Sequence, residues 1–307
     1  MSTIKITISL VFIYLFCSHC NAGQLSAALV TGYEAVSSPL VRIDLDSPLI
    51  LVEGRTELAS PYYQFNLNGV KDWDFGNESE FSFSANSNIK ISPNAEGLNF
   101  SMLSIDAIWR KKLNELNFEI GPSVQRIWVA NADFRDSLAL QFDVTHVRQN
   151  GSYTDLYFEF AKKYFVEEID FFDSKSATVS LIQHMKDIGF GFSALDFELS
   201  ATREQNIKDA NELSNKTFYG RVSLDREMLG LTWSAGVSVT HSIFDAPFSD
   251  GFDRRRDLYV SYEFGVERKF SDHVSMSLAL TKAENHSNLA LFESDYQLIS
   301  LSLNYMH

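Results

Sequence analysis

The run from Tyr296 to His307, YQLISLSLNYMH, alternates without a break. Ile299, Leu301, Leu303 and Tyr305 share one face, while Ser300, Ser302, Asn304 and Met306 share the other. A repeat of two is the period of an extended chain, because apolar positions on a helix recur every three to four residues. The run also has the length at which a tilted β-strand crosses a hydrocarbon layer. No strand crosses alone, since its backbone N–H and C=O groups find no partners in lipid. The run is therefore one member of a larger sheet, either closed in a membrane or packed in a soluble fold.

Similar segments recur along the chain. Alternation places strands over 25–34, 58–69, 79–91, 98–110, 113–124, 136–148, 152–162, 176–186, 190–202, 216–226, 229–241, 257–269, 273–283 and 296–307. That is about fourteen, an even number of the kind single-chain bacterial barrels use. The segments 98–110 and 176–186 are the least regular, as a β-bulge would make them. Leu258, Val260, Tyr262, Phe264 and Val266 oppose Tyr259, Ser261, Glu263, Gly265 and Glu267. Likewise Leu138, Leu140, Phe142 and Val144 oppose Ala139, Gln141, Asp143 and Thr145. In a sandwich or small barrel the apolar face points inward. A barrel this wide would then hold a void, so the consistent choice is polar inside and apolar outside, a surface only lipid accepts. The expectation is an all-β, transmembrane, antiparallel up-and-down barrel over 23–307.

The connections agree. Turns are short at 149–151, 187–189, 227–228 and 270–272, and long at 35–57, 125–135, 163–175, 203–215, 242–256 and 284–295. Short periplasmic turns and long outer loops place both termini in the periplasm. A longer turn at 70–78 and a short loop at 92–97 break the pattern. Tyr33, Tyr63, Trp109, Trp128, Tyr157, Tyr164, Trp233, Tyr259 and Tyr305 lie near strand ends, as interfacial girdles require.

At the other end, Met1 to Ala22 begins basic at Lys5, continues through an apolar run and ends Cys20-Asn21-Ala22. This is a signal-peptide pattern with cleavage after Ala22, too short to be a spanning helix. It implies Sec-dependent export. Cleavage removes both cysteines, and with them any disulfide framework or thiol chemistry. Loss of Lys5 takes the formal charge from −14 to −15. That acidity gives no reason to expect nucleic acid as a partner.

A family resemblance can be placed on the final stretch. Arg254-Arg255-Arg256-Asp257, followed by LYVSYEFGVERKFSDHVSMSLALTKAENHSNLALFESDYQLISLSLNYMH, is similar to the C-terminal barrel of surface lipoprotein assembly modifiers and to related tetratricopeptide-associated barrels. The features that carry it are the Arg-Lys-Phe-Ser turn, Asn285-His286-Ser287-Asn288 and Leu291-Phe292, with Gly32-Tyr33-Glu34 at the opening strand. The resemblance implies a fourteen-stranded barrel that helps lipoproteins reach the cell surface. In this chain strand pattern begins almost at the cleavage site, so the resemblance is to the barrel without the repeats.

No catalytic constellation stands out. His241-Ser242 and His286-Ser287 are adjacent pairs, so their side chains fall on opposite faces of a strand and cannot form a nucleophile–base pair. Glu167, Glu168, Asp170 and Asp173 read as a solvated acidic loop. The seven histidines show no metal spacing, and no cofactor is expected. The reading is a non-enzyme. Charges placed on the inward face are Glu119, Asp143, Glu159, Asp196, Glu198, Arg221, Asp225, Glu263 and Glu267, with Arg110, Arg148 and Arg203 as pairing partners. Fixed acids in a low-dielectric wall favour cations. Aromatics in Phe165–Asp173 and Phe244–Phe252 are expected to fold into the mouth. The functional expectation is a porin-like, cation-preferring conduit in the outer membrane of a Gram-negative bacterium. The alternative is a barrel assisting translocation or surface display of a lipoprotein or other exported protein. Expected partners are outer-membrane lipid, met by Ile299, Leu301, Leu303 and Tyr305, and the barrel assembly machinery, engaged through the C-terminal strand.

Overall fold

The computed structural model describes residues 23–43, 50–130, 132–247 and 253–306. The expected signal peptide lies outside them. The strands are β1 (Gly23–Ile43), β2 (Ile50–Gly76), β3 (Ser79–Ile91), β4 (Phe100–Leu113), β5 (Leu116–Val129), β6 (Ala132–Val147) and β7 (Tyr153–Phe165). They continue as β8 (Ser174–Gly189), β9 (Phe192–Asn206), β10 (Asn215–Met228), β11 (Leu231–Pro247), β12 (Arg254–Lys269), β13 (Val274–Ser287) and β14 (Ser294–Met306). Each pairs antiparallel with its sequence neighbours, and β1 pairs with β14 from Ser26↔Met306 to Ser37↔Asp295. The sheet is thus a closed up-and-down barrel of fourteen strands. Closure supplies every strand with two partners, which is the condition for a sheet in lipid.

Gly23, Met306 and the short turns share one rim. Asn77-Glu78, Phe190-Gly191 and Leu229-Gly230 turn in two residues, all with positive φ between 50° and 79°. That is the mirror-image turn whose twist matches paired strands. The longer turn expected at 70–78 is therefore absent, because β2 runs on to Gly76 and turns at Asn77-Glu78. On the opposite rim, β5 and β6 stay paired out to Val129↔Ala132, so the loop expected over 125–135 shrinks. The loop expected over 35–57 also shrinks, since β1 and β2 stay paired out to Ile43↔Ile50. One-turn 3-10 segments at Glu96–Leu98, Asn211–Leu213 and Ala290–Phe292, and a longer one kinked at Ile169 over Glu167–Phe172, lie in four of the loops on that rim.

Register settles which face is which. Leu29, Leu301 and Leu303, with Phe160, Leu138, Leu140 and Phe218, are about half exposed and lie on the outer face. The buried residues are mostly small polar or acidic, among them Ser60, Ser82, Glu34, Asp155, Asp257 and Ser300. This inverts the usual core. Ile299, Leu301, Leu303 and Tyr305 are between 43% and 52% exposed and alternate with inward Ser300, Ser302 and Asn304. Tyr157 and Tyr259 fall on the inner face, opposite Asp143 and Thr240, and so are not part of an outer girdle. Fourteen strands spaced ~4.8 Å apart and tilted ~40° give a backbone radius of roughly 14 Å, too wide for one layer of side chains to fill.

Within 98–110 there is a gap in the pairing and no β-bulge, since the register is the same on both sides of it, and the gap has a local cause. The β4–β5 ladder lapses at residues 107–108, opposite Gly121-Pro122. Pro122 has no N–H to donate. At Gly121 the strands come so close that a Cβ would stand 2.0 Å from the Ala107 carbonyl oxygen. In β8 the irregularity sits instead at the turn end, between Lys186 and Gly189.

Two predictions follow from this geometry. Gly121→Ala should lower folding stability by about 2–3 kcal/mol, since backbone on two strands must separate; urea titration of heat-modifiable gel mobility measures it, and an unchanged midpoint would refute the close approach. Leu301→Arg should cost about 2–4 kcal/mol when folded into vesicles, whereas Ser302→Arg, one residue on, should cost far less. Equal costs would mean that register does not separate a lipid face from a lumen face.

Candidate functional site: the charged lumen

All nine charges singled out in the sequence occupy the inward register, opposite the exposed apolar rows. They do not form one network. Arg110 gathers three carboxylates from neighbouring strands: Glu119 Oε1 at 2.9 Å, Glu80 Oε1 at 3.0 Å and Asp72 Oδ1 at 3.5 Å. One guanidinium fork can serve several acceptors at once, which a lysine point charge does less well. Beside it, Asp106 accepts from the Ser84 hydroxyl at 2.9 Å.

On β6 and β7 the acids have no such centre. Asp143 stands opposite Glu119. The Thr145 hydroxyl lies 2.9 Å from Asp143 Oδ1 and 3.1 Å from Asp155 Oδ1, and its one proton serves one of them at a time. Tyr157 donates to Glu159 Oε2 at 2.8 Å. Among the described residues neither Asp143, Asp155 nor Glu159 has an ion-pair partner.

The third group lines a cavity of about 300 Å³ on β8 to β12, where Asp196, Glu198, Arg221, Asp225 and Glu263 converge. Arg221 Nη2 meets Glu263 Oε2 at 2.8 Å, crossing β11. Asp196 Oδ1 accepts from His184 Nδ1 at 2.6 Å. Glu198 and Asp225 have no ion pair among the described residues. Glu267 lies apart, at the short-turn end, in a cavity of about 720 Å³ that reaches from β12 round to β4. The far wall of that cavity is neutral, built from Asn66, Asn68, Asn86 and Asn88.

Toward the loop rim the sequence reading missed several residues. Glu34 is 3% exposed and accepts twice from Lys90 Nζ, at 2.8 and 3.0 Å. Arg255 is bonded to Asp257 and wedged between Phe292, 3.4 Å from its ring centre, and Phe244, at 4.4 Å. Lys163 pairs with Glu204 at 3.0 Å. The parity of each strand carries these residues inward, so extending every alternation to its last residue would have found them. Arg203 is a correction: it lies on the outer face, opposite Ala177, and pairs with Asp245 instead of filling the lumen.

The acidic loop is structural in its contacts. The Asp173 carboxylate accepts from the Phe165 N–H at 2.7 Å, and Asp170 pairs with Lys208 at 2.8 Å. That bond holds the Lys208 ammonium above the ordinary lysine range. Phe165, Phe171 and Phe172 pack on one another, with Phe134 edge-on to Phe165 at 5.5 Å. Phe248 and Phe252 lie outside the described residues.

The three-carboxylate arrangement yields a prediction. Arg110→Gln should leave Asp72, Glu80 and Glu119 facing one another and lower stability by about 1–2 kcal/mol, less than the ~3–5 of a fully buried pair because the site is hydrated. Urea midpoints of the variant and of Arg110→Gln with Glu119→Gln test it: the second change should restore part of the loss.

No family model and no curated protein matches the sequence. Solved structures do match. A Pseudomonas aeruginosa FadL homologue aligns over 92% of this chain and 90% of its own, at 10% identity and a TM-score of 0.51. A bacterial polysaccharide outer membrane secretin aligns over 93% and 98%, at 11% identity and 0.47. Pseudomonas aeruginosa OpdQ aligns over 94% and 98%, at 9% identity and 0.43. None of these comparisons carries the resemblance to surface lipoprotein assembly modifiers beyond the barrel it implied. At such identities the likeness is one of architecture: the chain has the fold of an outer-membrane β-barrel.

Proposed function

We propose that this chain is a passive conduit in the outer membrane of a Gram-negative bacterium, with a preference for cations. It reaches that membrane by Sec-dependent export, with both termini periplasmic and its C-terminal strand read by the barrel assembly machinery. The observation that carries the reading is the imbalance of the inward face. Asp106, Asp143, Asp155, Glu159, Glu198, Asp225 and Glu267 project inward without an ion-pair partner among the described residues, against the inward bases Lys112, Arg135, Lys186 and Lys269, while Lys90, Arg110, Lys163, Arg221 and Arg255 are already paired. Unpaired carboxylates in a wall of low dielectric focus a negative potential along the axis, which concentrates cations and repels anions. The likeness to the barrel of the FadL homologue is in keeping with a conduit; the sign of the selectivity rests on these residues alone.

Single-channel recording in a planar bilayer across a KCl gradient tests both parts. The wild type should conduct in steps and reverse at a cation-selective potential. The triple variant Glu198→Gln, Asp225→Asn, Glu267→Gln should lose at least half of that potential at unchanged insertion. Protein that inserts but never conducts would overturn the conduit, and copurification of a lipoprotein with such a silent barrel would favour the export alternative. Selectivity for anions would overturn the charge assignment alone.

A further inference from the structure

The outer face carries a built feature of its own between β5 and β9. A groove of about 590 Å³ opens there toward the hydrocarbon, with Pro122, Leu138, Leu140 and Phe160 as its walls. It exists because Ala177 presents only a methyl between Phe160 on β7 and Arg203 on β9, its two register partners. Phe160 and Leu138 are 61% and 54% exposed, so no protein group covers them.

The loop-side end of the groove is basic. Lys162 and Lys175 face each other directly across β7 and β8, and Arg203 lies one step on, itself opposite Lys216 of β10. Like charges directly opposite on adjacent strands destabilise a sheet unless an anion lies between them. The acids nearby are engaged elsewhere: Asp136 with Arg126, Asp170 with Lys208, and Asp245 with Arg203. Glu204 points inward to Lys163. Lys162 and Lys175 have no carboxylate partner among the described residues; Lys162 rests on the Tyr164 ring, 4.7 Å from its centre. On a chain of net charge −14, two such lysines opposite one another call for a ligand.

We propose that this groove binds one anionic, phosphate-bearing lipid of the leaflet at the loop rim, its phosphate between Lys162 and Lys175 and an acyl chain against Phe160, Leu138 and Ala177. Charge and shape both select this occupant. The cations sit within a few residues of the strand ends, at headgroup depth, and the apolar walls continue from them toward mid-membrane. An acidic peptide would match the lysines but leave the walls bare to lipid. The inference rests on the outer-membrane reading above, not on conduction.

The test is the full-length barrel reconstituted in phosphatidylcholine nanodiscs containing a small fraction of lipid A, with bound lipid counted by native mass spectrometry after detergent release. The wild type should retain one lipid A. Lys162→Gln with Lys175→Gln should reduce retention at least tenfold, and so should Ala177→Trp, which fills the notch and leaves every charge in place. Retention unchanged in both variants would overturn the site; loss in the lysine variant alone would mean adsorption by charge, and would overturn the groove. Channel recordings on the same preparations keep the two proposals apart: a conducting barrel that holds no lipid refutes only the groove, and a silent barrel that holds lipid refutes only the conduit.

Discussion

The seam between β1 and β14 is the interaction on which the rest of the barrel depends. Without it the sheet would present two rows of unpaired N–H and C=O groups to hydrocarbon, each costing several kcal/mol. The strands also run close together at the seam, as they do at Gly121. A Cβ on Gly32 would stand 2.0 Å from the Ile299 carbonyl oxygen and 2.8 Å from a Tyr62 ring carbon. Absence of a side chain there lets Tyr62, 2% exposed, lie flat over the junction from inside. The Glu34–Lys90 pair sits beside it and ties β1 to β3 over β2. The join is therefore held by the ladder itself, by an aromatic lid and by one shielded ion pair.

With closure fixed, small residues inside determine what the lumen can hold. Arg221 reaches Glu263 across β11 where that strand offers only Gly236 and Ser238. Lys163 reaches Glu204 across β8 over Ser174 and Ser176. In both cases a serine or glycine on the middle strand leaves the space the longer side chains occupy. The abundance of inward serine is thus more than polarity: it sets the spacing at which charges two strands apart can meet.

Much of this was legible from the sequence, because a two-residue period in a barrel assigns every side chain to a face. Strand number, closure and the face of Glu119, Asp143 or Glu263 all follow from alternation. What alternation does not carry is where a strand ends. Asn77-Glu78 and the turn after Val129 lack the usual Asn-Gly signal, so the chain reads as loop where it stays paired. Charge alone misleads at Arg203: it reads as a lumen base, yet it shares the parity of Leu195, Phe197 and Leu199, and its register partner Ala177 lies on the same outer face. Tyr157 and Tyr259 were misassigned for a related reason. Aromatic character near a strand end suggests an interface, but parity decides the face, and both fall with the acids.

Sorting by parity also separates the two kinds of charge in this protein. Unpaired acids predominate on the inner face, and the facing pair Lys162 and Lys175 stands on the outer face at one rim, with the strand layer between them. Charges on either side of that wall face different surroundings. In the proposed conduit the acids would act on ions in the lumen, and in the proposed groove the lysines would act on headgroups at the rim. Because alternate residues of one strand serve the two faces, Glu159 and Lys162 sit three positions apart on β7 and still face water and lipid respectively. A substitution on one face therefore leaves the other face in place, so the conduit and the groove are tested on separate residues of the same strands.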